Sequence, residues 1–176
     1  MIVSIRKFEK TDIPNKVRWI NDPRNHTYLH YDLPLEIEKT ENWFEKNRDR
    51  TDRYDAVIEA DGVPVGVIGL LSIDLKYQKA EYYVTLGECS YQGKGIAAKA
   101  TELLLEYAFG KLGLNRVYLY MDADNLAAEK LYERVGFRRE GVLRKDLFRR
   151  GHFVDRCVYG MTRDDFYGGG IPRFTE

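Results

Sequence analysis

The sequence lacks several features that would assign it to a specialised class of protein. Only two cysteines, Cys89 and Cys157, occur among the 176 residues, and their separation fits neither a disulfide framework nor a metal site. No run of about eighteen apolar residues is present to span a membrane, and the first residues lack the hydrophobic region of a signal peptide. These absences predict a cytoplasmic protein that contains no metal.

An excess of charge of either sign is also missing. Lysine and arginine together number 28, and so do aspartate and glutamate. The chain as a whole therefore has no electrostatic attraction to nucleic acid or to an anionic membrane. A hydrophobic content of 44% is sufficient for one domain with a sizeable core. We expect a single domain over residues 1–165 and a glycine-rich tail over residues 166–176.

Strands and helices are both predicted, in a mixed order. Alternating or β-branched segments predict strands, and helical spacing of apolar residues predicts helices. The predicted strands cover 2–8, 53–60, 63–75, 80–86, 116–121, 137–148 and 152–163. The predicted helices cover 12–21, 35–47, 95–112 and 126–135, and residues 24–34 between the first two read as a loop. Asp61-Gly62 is typical of a type I′ hairpin turn.

The stretch from Glu81 to Ala98 changes character at its middle. Residues 82–86 are β-branched or aromatic, which favours a strand. The segment Gln92-Gly93-Lys94-Gly95 then brings two glycines to the start of a helical pattern. A helix that begins in such a turn presents unpaired N–H groups and the positive end of its dipole. The order of strand, glycine turn and helix therefore predicts a site for a phosphate or a diphosphate.

Three phosphate motifs compete for this segment. A P-loop needs four residues between its first glycine and a Gly-Lys pair, whereas five separate Gly87 from Gly93, and Gly95 stands where the motif needs Ser or Thr. A Rossmann fingerprint needs a third glycine, but Ala98 stands at that place. The third pattern, Gln/Arg-x-x-Gly-x-Gly/Ala, fits residues 92–97. It resembles the acetyl-coenzyme A loop of the GNAT superfamily of N-acetyltransferases.

A second motif supports this resemblance. The segment Asn125 to Phe137 is similar to the GNAT signature Asn-x-x-Ala-x-x-Leu-Tyr-x-x-x-Gly-Phe and follows the first motif in the right order. The resemblance extends from Ile2 to about Met161 and is nearest to the branch that acetylates ribosomal-protein N-termini, polyamines and amino-sugars. It implies an α+β GNAT fold, with about four helices flanking a six- to seven-stranded, mostly antiparallel mixed sheet that is splayed in the middle.

The resemblance also implies where acetyl-coenzyme A binds. Two strands that part after Leu86 and before Asp122 would leave backbone groups free to pair with the pantetheine arm. A main-chain N–H near Thr85 or Leu86 would polarise the thioester carbonyl. The implied cofactor-binding residues are Val84, Thr85, Leu86, Gln92, Gly93, Lys94, Gly95, Ile96, Ala97, Ala98, Asn125, Ala128, Lys130 and Tyr132.

Three residues are the main candidates for catalysis. Glu81 is the preferred base for the amine, through water, although it also suits a solvated strand start; Glu88 is a weaker candidate. Tyr132 is the expected acid for the departing thiolate, with a core tyrosine as the alternative. Asn125 would bind the pantetheine arm or orient water, or would only cap a helix. The expected mechanism is direct attack in a ternary complex.

The acceptor is predicted from aromatic and histidine residues. We expect His26, Tyr28, Tyr31, Tyr82 and Tyr83 to bind a primary amine of a small molecule, either an amino-sugar or a polyamine. A peptide N-terminus remains an alternative acceptor, and a non-catalytic sensor of acyl-coenzyme A remains an alternative function. Arg138-Arg139 and Arg149-Arg150 are expected to be solvated charges. Exposed edge strands near the C-terminus favour a homodimer.

Overall fold

A seven-stranded mixed sheet forms the centre of the molecule. The computed structural model describes residues 1–168. The strands run in the spatial order β1-β2-β3-β4-β5-β7-β6, and every neighbouring pair is antiparallel except β4 and β5. Their bounds are β1 Val3–Lys7, β2 Tyr54–Ala60, β3 Val63–Asp74, β4 Lys79–Leu86, β5 Arg116–Asp122, β6 Arg138–Arg149 and β7 His152–Thr162. The predicted fold class is confirmed.

Five α-helices accompany the sheet in the described part of the chain. They are α1 Ile13–Asn21, α2 Ile37–Asn47, α3 Ile96–Glu106, α4 Leu126–Val135 and α5 Arg163–Tyr167. Between α1 and α2, a 3₁₀ segment over Pro23–Tyr28 occupies part of the region that the sequence assigns to a loop. None of these helices combines the length and the apolar character needed to cross a membrane.

Turn chemistry explains most of the element boundaries. Asp61 and Gly62 both have positive φ, as a type I′ turn between β2 and β3 requires. Helix α3 passes into a π-helical turn over Tyr107–Lys111, and Gly113 follows with φ of 65°. Gly136 has φ of 109° and ends α4, because an L-residue with a side chain adopts this conformation only with strain.

The end of the chain differs from the expectation. Arg163–Tyr167 forms the short helix α5, whose N-terminus is closed by reciprocal hydrogen bonds between Thr162 and Asp165. Phe166 lies 5.4 Å from the Phe109 ring, centroid to centroid, and so packs on the core. Regular structure therefore continues past residue 165, where the sequence analysis places the tail. Residues 169–176 lie outside the described residues.

The two central strands part to form a fork. Strands β4 and β5 pair only over Lys79–Glu81 and Arg116–Tyr118. Beyond Glu81, β4 continues to Leu86 in register with β3 alone, and β5 continues to Asp122 in register with β7 alone. The strands thus separate after Glu81, about five residues earlier than the sequence analysis places the parting. The earlier parting lengthens the unpaired edge that a ligand could use.

Apolar layers hold both arms of the fork in place. The larger core lies under α3 and contains Tyr82, Leu104 and Tyr159, while a smaller one under α1 and α2 contains Trp19. A Cβ at Gly87 would overlap the Trp19 side chain, so glycine is needed where β4 ends. Burial of these side chains stabilises the fold by roughly 2 kcal/mol each and fixes the fork between the two layers.

Candidate active site

A cavity of about 790 Å³ occupies the fork between β4 and β5. Its walls come from both parted strands, the turn into α3, helix α4 as far as Arg134, the segment from Arg24 to His30, and Arg156 on β7. This segment precedes α2 and covers the mouth of the fork. One cavity therefore unites the glycine turn, the second motif and the loop in which the acceptor was predicted.

The turn into α3 presents bare backbone donors to this cavity. Gly93 and Gly95 have φ values of 73° and 79°, and a Cβ built on either would have no neighbour within 4 Å. The amide of Gln92 bonds to Cys89 and that of Lys99 to Gly95. Within residues 1–168, no acceptor is recorded for the N–H groups from Gly93 to Ala98. These donors, at the positive end of α3, suit a diphosphate.

Most of the predicted cofactor residues line the cavity. Those on β4 and in the turn are Val84, Thr85, Leu86, Gln92, Gly93, Gly95, Ile96, Ala97 and Ala98, and those on α4 are Asn125, Ala128, Lys130 and Tyr132. Lys94 lies outside the lining, and its ammonium stands 5.2 Å from the centre of the Tyr91 ring. A role for the Lys94 side chain in this cavity thus has no support from the geometry.

Tyr132 reaches the cavity from α4, in the core between Tyr82 and Phe137. Its ring meets each of those two rings edge to face, at 5.7 and 5.9 Å between centroids. The residue is 8% exposed, and burial raises the pKa of the phenol above its ordinary value. No described residue hydrogen-bonds to the hydroxyl. The phenol is therefore protonated, fixed by its neighbours, and free to donate to a ligand.

Glu81 lies at the base of the fork, opposite Tyr118. Its side chain lines the cavity. Partial burial raises the pKa of this carboxyl, and the nearby charge of Arg156 opposes the change. Glu88 is placed differently, because its Oε1 accepts a hydrogen bond from Trp19 Nε1 at 2.8 Å and pairs with Arg18. These contacts lower the pKa of Glu88, so Glu81 is the better-suited base.

Asn125 caps helix α4. Its side-chain oxygen accepts a hydrogen bond from the Ala128 N–H at 3.1 Å, as in the simpler of the two predictions for this residue. The amide NH₂ group and the second lone pair of this oxygen remain for a ligand. The residue also lines the cavity, so capping and ligand contact are compatible.

The predicted acceptor residues separate into two groups. Tyr28, Tyr82 and Tyr83 line the cavity, whereas His26 and Tyr31 lie outside the lining. The Tyr82 hydroxyl shares a 2.7 Å hydrogen bond with Thr101 on α3, which makes it a core residue whose polar end is already used. Tyr83 donates to Asp55 Oδ1 at 2.5 Å. Of the five residues, only Tyr28 keeps a place at the mouth of the cavity.

A charged cluster that the sequence analysis missed lies at the end of β5. Asp122 is 2% exposed, its Oδ1 lies 2.9 Å from His30 Nε2, and its Oδ2 lies 2.7 Å from Arg149 Nη1. The expectation of a solvated Arg149 is wrong, because only 12% of its side chain is exposed. Arg156 adds a second guanidinium, 4.6 Å from the centre of the Tyr120 ring.

Across residues 1–168, no group of three or more His, Cys, Asp or Glu side chains is arranged to hold a metal ion. The cavity itself is lined by carboxylate, phenol and imidazole side chains and by backbone donors. Their arrangement suits a reaction in which a nucleophile loses protons beside a bound, polarised carbonyl group.

Comparison with known proteins gives a consistent result. A family model described as an acetyltransferase (GNAT) domain matches residues 3–138. An uncharacterised N-acetyltransferase of Bacillus subtilis, derived from the SPbeta prophage, is 31% identical over 81% of this chain and 79% of its own. The spermidine N(1)-acetyltransferase of Escherichia coli K12 is 28% identical over 89% of this chain and 86% of its own.

Solved structures show the same architecture. Spermidine N-acetyltransferase from Vibrio cholerae, in complex with CoA and spermine, superposes with a TM-score of 0.87 at 25% identity, covering 93% of this chain and 97% of the other. A dodecameric structure of the Vibrio cholerae enzyme superposes with a TM-score of 0.81 at 24% identity, over 94% of this chain and 96% of that one.

Proposed function

This chain belongs to the GNAT acetyltransferase family, and we propose that it moves the acetyl group of acetyl-coenzyme A to a primary amine of a small molecule by direct attack in a ternary complex. One observation carries the proposal. Gly93 and the residues from Gly95 to Ala98, with their bare N–H groups, line the same cavity as Tyr132 and Glu81. A diphosphate site, a proton donor and a base are thereby available to two substrates bound together.

The chain's backbone holds the coenzyme. The N–H groups between Gly93 and Ala98 bind its diphosphate at the start of α3. The edge of β4 that faces the fork pairs with the pantetheine amides, because alternate residues of β4 direct their N–H and C=O groups away from β3. A main-chain N–H near Thr85 or Leu86 polarises the thioester carbonyl. On α4, the Asn125 amide, Ala128 and Lys130 complete the wall of the pantetheine channel.

Glu81 removes a proton from the amine, through water. A primary amine with a pKa near 10 is only ~10⁻³ neutral at pH 7, which costs about 4 kcal/mol unless a base or desolvation intervenes. Burial raises the pKa of Glu81, which makes the carboxylate a stronger base than one in water. Because Glu81 lies at the base of the fork, four residues before Thr85, a chain of waters carries the proton to it.

Tyr132 assists departure of the thiolate. Its raised pKa keeps the phenol protonated at every physiological pH. A thiol has a pKa of about 8.5, so complete transfer of the phenolic proton is uphill, and a hydrogen bond to the developing thiolate is the main contribution. Positioning of the two substrates supplies the larger part of the acceleration, since well-oriented groups contribute ~7–11 kcal/mol.

An amino-sugar or a polyamine is the proposed acceptor. The cavity is polar on the side of Glu81, Tyr28 and Arg156, which suits a small hydrophilic amine. The spermidine acetyltransferases among the relatives support the polyamine. Asp32, Glu36, Glu38 and Glu41 carry carboxylates of the kind that attract polyamines, but all four lie outside the cavity lining. An amino-sugar and a polyamine are therefore proposed equally as the acceptor.

Assembly with further copies is also proposed. Phe148 and Phe153 pack together at 5.1 Å between ring centroids and are both more than 60% exposed near the tip of the β6–β7 hairpin. Exposed aromatic pairs of this kind favour association, and a dodecameric relative exists. Sedimentation of the purified chain would show a dimer or larger assembly if this is correct, and a monomer if it is not.

A thiol-release assay tests the function. The protein is mixed with acetyl-coenzyme A and one of spermidine, glucosamine or a short peptide with a free N-terminus, and free thiol is measured with a colorimetric reagent. We expect release that depends on spermidine or glucosamine. Release with the peptide alone would replace the small-molecule acceptor by a peptide N-terminus. Tight binding of coenzyme A without release for any amine would instead indicate a non-catalytic sensor.

A further inference from the structure

The cluster at the end of β5 contains an oriented imidazole. His30 Nε2 lies 2.9 Å from Asp122 Oδ1, and Asp122 is almost completely buried. A neutral imidazole that donates Nε2–H to a carboxylate carries its lone pair on Nδ1. Within residues 1–168, Nδ1 has no recorded hydrogen-bond partner. His30 also lines the cavity, so the cavity wall contains a histidine with an unused lone pair.

Strand register places this imidazole well away from Glu81. Glu81 pairs with Tyr118 at the base of the fork, and Asp122 follows four residues later on the same face of β5. At about 3.3 Å per residue, the separation along the strand is roughly 13 Å. Asp122 and His30 therefore stand at the open end of the fork, at the level of Thr85, where the thioester carbonyl is expected. Glu81 lies deeper.

The segment that carries His30 is tied down from two sides. Arg149 contacts the carbonyl of Thr27, and Arg150 Nη2 donates to the carbonyl of His26 at 2.8 Å. The Tyr28 hydroxyl donates to the Asp124 carbonyl at 3.2 Å. These contacts join the segment to the tip of the β6–β7 hairpin and to the turn after β5. An imidazole held in this way needs little reorganisation before it reacts.

The chemistry of acetyl transfer requires two separate proton removals. An ammonium group must lose one proton before its nitrogen can attack, and the nitrogen bonded to the new acetyl group must lose another. We propose that His30, oriented by Asp122, is a second general base of this enzyme and accepts the first of these protons, while Glu81 accepts the second. The inference rests on the proposed function, since it assumes that the cavity binds an amine.

The proton and electron transfers of this reaction balance with the groups present in the cavity. His30 Nδ1 takes a proton from the ammonium, and Asp122 stabilises the imidazolium. The freed nitrogen lone pair forms the C–N bond, and the second proton passes along a chain of waters to Glu81, roughly 13 Å down the strand. The C–S bond breaks with its electron pair going to sulfur, which accepts a hydrogen bond from Tyr132, and the proton held by Glu81 then passes through water to this thiolate. His30 then releases its proton to solvent, so that an ammonium and a thioester give an amide, a thiol and one proton.

Chemical rescue tests the proposal. His30→Ala removes the base and leaves space open to solvent, because the side chain is 37% exposed. We expect the rate with a saturating amine to fall about 10²-fold and to recover in proportion to added imidazole, with more basic imidazoles being more effective. His152→Ala is the matched control, since this histidine lies at the hairpin tip and outside the cavity lining; its rate should be unchanged and insensitive to imidazole.

Measurement of coenzyme A affinity beside the rate distinguishes a failure of the His30 proposal from a failure of the proposed function. If His30→Ala binds coenzyme A normally, loses less than threefold in rate and shows no rescue, His30 is not a base, while the proposed function stands. If the loss is large but no imidazole restores it, the role is only structural, and the inference is again overturned. If the unaltered protein releases no thiol with any amine, the proposed function itself fails. If His30→Ala folds poorly, His30→Gln replaces it in the measurements of rate and coenzyme A affinity. Imidazole should not rescue His30→Gln, because the glutamine side chain fills the space.

Discussion

The two halves of the cavity are built in different ways. The half proposed to bind the cofactor, called the cofactor half, consists of residues 92–98 and the free edge of β4. It uses backbone groups that lie within one short stretch of sequence. The half proposed to bind the acceptor, called the acceptor half, consists of the segment from Arg24 to His30 and of Asp122, which pairs with Arg149. It uses side chains about a hundred residues apart. Backbone donors tolerate many side chains, whereas the acceptor half depends on individual charges. Substitutions should therefore affect the two halves differently.

The largest expected effect is a loss of kcat on substitution of Tyr132, which lines the cavity between the two halves. Tyr132→Phe removes the only polar atom of this side chain, so kcat should fall by ~10²–10⁴-fold while the KM for acetyl-coenzyme A changes little. Steady-state kinetics with saturating amine measures both. Tyr159→Phe is the control, because this core tyrosine lies 6.4 Å from the Tyr132 ring but outside the cavity lining. Equal losses in both variants would contradict a specific role for Tyr132.

Removal of the buried charge in the acceptor half should destabilise the folded protein. Asp122→Ala leaves the nearly buried Arg149 without its carboxylate, and we expect a loss of roughly 3–5 kcal/mol in the free energy of unfolding. Denaturant titration measures it. Asp146→Ala is matched, because it removes the partner of Arg156 from a more exposed pair and should cost at most about 1 kcal/mol. Similar losses of unfolding free energy in the two variants would show that the buried pair of Asp122 and Arg149 stabilises the fold no more than an exposed pair does.

A third effect concerns helix α1, which leads into the acceptor half. Lys16 is 8% exposed and lies 3.6 Å from the centre of the Trp43 ring, and burial lowers its pKa from 10.5 to about 8. Between these values the unfolded chain binds more protons than the folded one. The free energy of unfolding should therefore rise with pH over this window, by roughly 3 kcal/mol.

Lys16→Met should remove this rise. Denaturant titrations at several pH values from 7.5 to 10 measure it for both proteins, and the range stops below the window in which tyrosines ionise. A slope that is the same in Lys16→Met and in the unaltered protein would assign the pH dependence to other groups.

The smallest effect is expected in the cofactor half. Gly95→Ala places a side chain at φ of 79°, which costs about 1–2 kcal/mol, and adds a methyl group where the diphosphate should bind. We expect weaker binding of coenzyme A by calorimetry. Gly113→Ala is the control: it has the same kind of backbone strain, at φ of 65°, and its added Cβ would also have no neighbour within 4 Å. Gly113 lies at the far end of the helical segment. This variant should lose stability and keep its affinity for coenzyme A.

The difference between the halves also explains what the sequence could predict. The turn at Gly93 and Gly95, the cap at Asn125 and the position of Tyr132 follow from spacing within a few residues, so they were found. The paired Asp61-Gly62 turn and all seven strands were found for the same reason. Local pattern is sufficient for such features, because neighbouring residues determine them.

Long-range contacts could not be predicted in the same way. Nothing near Arg149 in the sequence indicates that it meets Asp122, so it was expected to be solvated. Tyr82 and Tyr83 point to opposite faces of one strand, and their partners Thr101 and Asp55 come from different elements. An aspartate that ends an apolar strand at a fork was the one available signal for Asp122. The earlier parting of β4 and β5 depends on tertiary packing.

The central claim is that backbone amides at the start of α3 bind the diphosphate of coenzyme A. The most direct measurement is an NMR titration of ¹⁵N-labelled protein with coenzyme A. We predict that the amide signals of residues 93–98 shift most, together with those of Val84 to Leu86, while that of Gly113 stays in place. Saturable binding of coenzyme A that leaves the signals of residues 93–98 unshifted would contradict the account.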